Sequence, residues 1–87
     1  MTNAYEREIK PLKKIVISSI QCADSYSVIV GSDRLSLLYL EEMKSYSRTF
    51  DLEESKEKKE KIRQNLSSIM EDWRWMIELR NDFERSR

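Results

Sequence analysis

The side chains of this sequence that could do covalent or acid–base chemistry are carboxylates, amines, phenols, serine and threonine hydroxyls and one thiol, Cys22. Histidine is absent. That removes the commonest general base, the commonest metal ligand and the usual partner of a nucleophilic serine. The carboxylate pairs Glu41-Glu42, Glu53-Glu54 and Glu71-Asp72 are adjacent in sequence. Neighbouring helix positions point ~100° apart, so these pairs do not converge on one site. The Glu-x-x-His pattern of di-iron bundles cannot be built. With one glycine there is no glycine-rich phosphate loop. A lone cysteine makes neither a zinc site nor a redox pair, and beside an apolar stripe it is expected to be a small buried hydrophobe. We therefore expect no enzyme, no catalytic residue, no cofactor and no metal.

The chemistry left is recognition. Trp75 and Leu79 make an i,i+4 apolar pair flanked by Glu71, Asp72, Glu78 and Asp82. An aromatic–aliphatic anchor ringed by charge has the composition of an interface hot spot. Leu37 and Leu40 lie off the main apolar side of their helix and are the second candidate contacts. Most other aromatics follow helical spacing and read as core, with tyrosine hydroxyls at the bundle edge meeting water or backbone. A competing reading uses the basic residues. Gly31-Ser32-Asp33 could form the turn of a helix-turn-helix, with Arg34, Lys44 and Arg48 on its recognition helix and Lys10, Lys13 and Lys14 adding phosphate contacts. Sixteen basic and sixteen acidic residues cancel. Nucleic acid is thus disfavoured, because phosphate binding needs a positive face.

Helices must position these residues. Gly31 and Pro11 are the only glycine and the only proline, which argues against a loop-rich or all-β fold. Ile62, Leu66, Ile69, Trp73, Met76 and Phe83 recur at steps of four, three, four, three and seven. This spacing predicts a long amphipathic helix, with Met70 and Ile77 widening its apolar stripe and Trp75 on its back. Tyr5, Ile9, Leu12, Val16, Ile20, Ala23 and Val30 form an earlier stripe, preceded by a capping box at Asn3 and Glu6. Pro11 either kinks that helix or starts it near Lys10. The β-branched runs at 15–17 and 26–30 leave a hairpin through 22–25 as the alternative. Gly31 reads as the residue ending the first helix, and Ser32 or Asp33 as the cap of the next. In that second helix Leu35, Leu38, Tyr39, Met43, Tyr46 and Phe50 share one side. Asp51 with Glu54 reads as the cap of the third. Glu53 to Lys61 holds no apolar residue and reads as a solvated face held by acid-before-base pairs.

The fold expected is an all-α three-helix bundle, over roughly residues 4–30, 33–50 and 52–85, in a single domain spanning 1–87. The long C-terminal helix is coiled-coil-like and overhangs the others at its start. Charged residues are 37% of the chain, against ~25% in ordinary domains, so the core is thin and self-association, most simply a homodimer, would offset it. No apolar run reaches membrane length and the N-terminal residues are polar. A surface-lying helix is disfavoured because the polar face of the third helix is half acidic. Together these point to a cytoplasmic, non-enzymatic protein–protein interaction module: an adaptor, a complex subunit, or a small inhibitor or regulator.

Overall fold

The computed structural model describes residues 4–86. The capping-box residue Asn3 lies outside them. Three α-helices follow one another: α1 (Lys10–Gln21), α2 (Ser25–Leu52) and α3 (Lys56–Arg85). A π-helical stretch, Tyr5–Ile9, runs straight into α1. Pro11 explains it. Proline has no N–H to give to the carbonyl one turn back and its ring crowds that carbonyl. The chain widens before it, and the Lys10 amide donates to the Tyr5 carbonyl, five residues back. Pro11 then sits in the first turn of α1, where a missing N–H costs nothing.

The first boundary falls earlier than the sequence suggests, and neither β-branched run forms a strand. The chain turns at Cys22–Asp24. Ala23 takes the left-handed conformation at φ 57°, its amide donates to the Ile20 carbonyl at 3.1 Å, and the Asp24 amide donates to the Ser19 carbonyl at 2.9 Å. This is a Schellman ending with alanine in the place glycine usually takes. Asp24 then caps α2 by accepting from the Ser27 amide at 3.2 Å. Gly31 ends nothing. It is buried inside α2, where a Cβ would lie 2.7 Å from Val16 Cγ2. A glycine fits there because α1 comes so close that a Cβ would clash with Val16. Val30, placed on the first stripe by its spacing, is exposed.

The second connection is Glu53–Ser55, and the cap of α3 is Ser55 rather than Asp51, which lies inside α2. The Ser55 hydroxyl accepts from the Lys58 amide at 3.5 Å. The charged segment 53–61 forms this connection and the solvated start of α3, with Lys59 over the Phe50 ring at 4.8 Å. α2 and α3 make a long antiparallel pair along the 48 Å length of the molecule. The shorter α1 packs chiefly on α2 and covers part of that pair. Both long helices, not α3 alone, extend past it. Ile9, Val16, Leu35, Tyr39, Ile69 and Met76 form the buried cluster. Completely burying such side chains stabilises by ~1.5–3 kcal/mol each.

Candidate interaction surface

Two features lie on opposite flanks of α3. On the side toward α1, Asp72 is the hub of a polar cluster. Its Oδ2 accepts from the Tyr39 hydroxyl at 2.6 Å and the Tyr5 hydroxyl at 3.0 Å, while Oδ1 accepts from Lys13 Nζ. Burial alone would raise the Asp72 pKa. The three donors and the Lys13 charge outweigh it and hold the carboxyl below the usual carboxylate range. The tyrosines move the other way. Burial first, then the bond to Asp72 and its charge, push Tyr5 up to about 12 and drive Tyr39 upward in the same sense. Lys13 Nζ also lies 5.1 Å from the centre of the Trp75 ring, a cation–π contact. One carboxylate thus ties the π-helical stretch, α1 and α2 to α3. The arrangement is an anchor of the fold: its acceptors and donors are already engaged with one another.

On the side of α2 and α3 away from α1, large apolar side chains meet solvent. Leu37 is 65% exposed, Leu40 39%, Met70 42% and Ile77 39%. Their common face follows from the contacts that fix each helix's rotation. Gly31 faces α1, Arg80 Nη1 reaches back to Asp33 at 2.6 Å, and Ser36, Trp73 and Ile77 line one notch of about 230 Å³ between α2 and α3. At ~100° per residue, Leu40 and Leu37 then lie beyond the α3 contact on α2, and Ile77 and Met70 beyond the α2 contact on α3. The antiparallel register, Tyr39 against Asp72, sets Leu37 level with Arg74, between Met70 and Ile77, and Leu40 level with Glu71, next to Met70. At the same seam Trp73 Nε1 is buried and has no hydrogen-bond partner among the described residues.

The sequence-predicted site residues therefore separate. Leu37 and Leu40 lie on the outer face. Trp75, 47% exposed, lies on the α1 flank beneath Lys13, and Leu79 is partly buried against the core. These four residues do not form one patch. Met70 and Ile77, read as core, are surface residues of the outer face. Tyr5 and Tyr39 bond a carboxylate rather than water or backbone, and Asp72 is a structural hub rather than a rim charge. Spacing alone gave no sign of this. Only a register between helices brings residues 5, 13, 39 and 72 together. Cys22 is exposed, not buried, because it caps the end of α1.

The basic residues are also dispersed. Gly31, Ser32 and Asp33 lie in the middle of α2, so no helix-turn-helix turn forms there. Lys13 is engaged by Asp72, and Lys10 pairs with Glu6 at 3.6 Å. Lys14, Arg34, Lys44 and Arg48 are exposed. Among the described residues no group of three His, Cys, Asp or Glu could hold a metal ion, and no helix is long and apolar enough to cross a membrane. No family model, curated protein or solved structure matches the chain.

Proposed function

We propose that this chain is a non-enzymatic protein–protein interaction module, an adaptor, complex subunit or small inhibitor or regulator, that acts in the cytoplasm by helix–helix docking. The observation that supports this reading is the outer face of α2 and α3. Leu37, Leu40, Met70 and Ile77 expose apolar surface side by side. Scattered surface leucines are ordinary, but four large apolar side chains exposed on one side of a helix pair, interspersed with Lys44 and Arg74, have the mixed composition of a docking surface.

The test is affinity capture of tagged protein with and without nuclease, comparing wild type with the double variant Leu37→Ser/Ile77→Ser. The positions are exposed, so the variant should melt within a few degrees of wild type, as surface substitutions usually do. Partners retained by wild type and lost by the variant support the reading. Partners lost instead in Trp75→Ala, with the outer-face variant unaffected, would move the docking site to the α1 flank. Partners that disappear with nuclease would contradict the reading.

A further inference from the structure

We infer that the chain has a second state, a dimer in which two copies exchange their N-terminal segments, so that the Tyr5–Ile9 stretch and α1 of each pack on α2 and α3 of the other. The turn at Cys22–Asp24 is the hinge. This goes beyond the interaction-module reading and does not rest on it. The outer face lies away from α1, so exchange leaves it free on both copies.

The hinge residue favours opening. Ala23 holds φ 57°, a conformation that strains a residue with a Cβ and in which glycine is at home. In a helix the preference reverses, and alanine is the best former of all. Residue 23 is thus strained in the turn and favoured in a continuous helix. No glycine or proline lies between residues 12 and 30, so nothing there forbids helix. Short hinges under strain invite exchange of this kind. The apolar pattern agrees. Tyr5, Ile9, Leu12, Val16, Ile20, Ala23 and Val30 keep helical spacing straight through the turn. The closed chain nevertheless leaves Ala23 exposed and Val30 49% exposed. Straightening the turn puts both on one stripe with Val16 and Ile20.

The contacts of α1 re-form across the dimer. Val16 packs against Gly31, and residues 16 and 31 are equally far from the midpoint of the hinge, between residues 23 and 24. Two opened chains crossing antiparallel at that midpoint bring Val16 of each onto Gly31 of the other. On a continuous helix these two residues lie ~60° apart, within one stripe. The polar ties transfer in the same way. Lys13 Nζ donates to Asp72 Oδ1 at 2.5 Å and the Tyr5 hydroxyl to Asp72 Oδ2 at 3.0 Å. In the exchanged dimer each of these runs between chains. What holds the closed form is Asp24, which accepts from the Ser27 amide at 3.2 Å and from the Ser27 hydroxyl at 2.7 Å. A continuous helix gives up that cap. Closed and exchanged forms therefore compete, and rising protein concentration favours the dimer.

The experiment refolds the full chain from denaturant at micromolar and at millimolar concentration, as an equal mixture of unlabelled and heavy-isotope-labelled protein. Monomer and dimer are separated by size. A carbodiimide then joins amines to touching carboxylates, and mass spectrometry reads the Lys13–Asp72 link. Millimolar refolding should yield a dimer in which about half of these links join a labelled to an unlabelled chain. Monomer should show links within one chain only. Asp24→Ala should favour the dimer by roughly tenfold or more, because a cap is lost from both closed chains and from neither opened one. Ala23→Gly should disfavour it by roughly tenfold or more, because glycine relieves the turn and weakens the helix in both chains. Both positions are exposed, so neither variant endangers the monomer's fold. A wild type and an Asp24→Ala protein that both stay monomeric overturn the inference. So does a dimer whose Lys13–Asp72 links all lie within one chain, or an Ala23→Gly protein that dimerises as readily as wild type.

Discussion

Replacing Gly31 by alanine sets two effects of opposite sign against each other, and the geometry says which prevails. Inside a helix, glycine is ~1 kcal/mol worse than alanine. On propensity alone Gly31→Ala should therefore stabilise. But a Cβ at residue 31 would sit 2.7 Å from Val16 Cγ2 and 4.0 Å from Leu12 Cδ1. Val16 is completely buried, and a β-branched side chain in a helix has one strongly preferred rotamer. It cannot swing clear, so α1 and α2 must separate. Overpacking of this kind costs ~1–3 kcal/mol, and the separation also loosens the packing of Ile9 and Leu35 around it. The net expectation is destabilisation by ~1–2 kcal/mol. In a domain of this size each kcal/mol lowers Tm by ~4–8 °C. A thermal melt followed by circular dichroism reads this directly. Val16→Ala alone should cost roughly 1–3 kcal/mol through the cavity it leaves. Combined with Gly31→Ala it should cost less than the sum by ~1 kcal/mol, because the added methyl occupies part of that cavity. A Gly31→Ala protein that melts above wild type, or a double variant that is merely additive, would refute the close-approach argument.

Three further outcomes follow from the same structure. Asp72→Asn should lose ~1.5–3 kcal/mol at neutral pH, the worth of hydrogen bonds to a charged group. Because the folded Asp72 pKa is lowered, the wild-type advantage is present above the unfolded value of ~3.9 and is lost as pH falls through the folded value. Denaturant titrations should therefore converge for the two proteins well below pH 4; a gap that persists there would make the contribution one of shape rather than charge. On the alkaline side the Tyr5 contribution is present below ~10 and lost as pH rises through about 12, so Tyr5→Phe should flatten the stability profile in that window. Ala23→Gly should stabilise by ~0.5–1 kcal/mol, since alanine in the left-handed conformation costs ~1–2 kcal/mol and the added unfolded-state freedom returns only part of that. No rise in Tm would show that the turn at residue 23 relaxes elsewhere.

Periodicity carried the fold class, because three apolar stripes at helical spacing need nothing beyond the sequence to be seen. The boundaries were less legible. Gly31 looks like a helix ending because glycine usually marks one, yet here it marks a close helix crossing, which depends on Val16 in another helix. The ending fell to Ala23, a residue with no turn signature of its own. Ser55, not Asp51, caps α3, because α2 runs through Asp51 to Leu52 and the Ser55 hydroxyl accepts from the Lys58 amide. Exposure could be read for Leu37 and Leu40, which lie off their helix's core side. It could not be read for Met70 and Ile77, whose spacing matches the core stripe and whose exposure depends on α1 lying on the opposite flank. The Asp72 cluster was hidden for the same reason.

The measurement that tests the central claim most directly is an amide chemical-shift titration of labelled protein against increasing concentration of unlabelled protein and, separately, against any captured partner. Docking through the outer face requires the largest shifts on the outward positions of residues 37–44 in α2 and 70–77 in α3. Shifts confined to Lys13, Trp75 and Leu79, or no shifts in either titration, would contradict it.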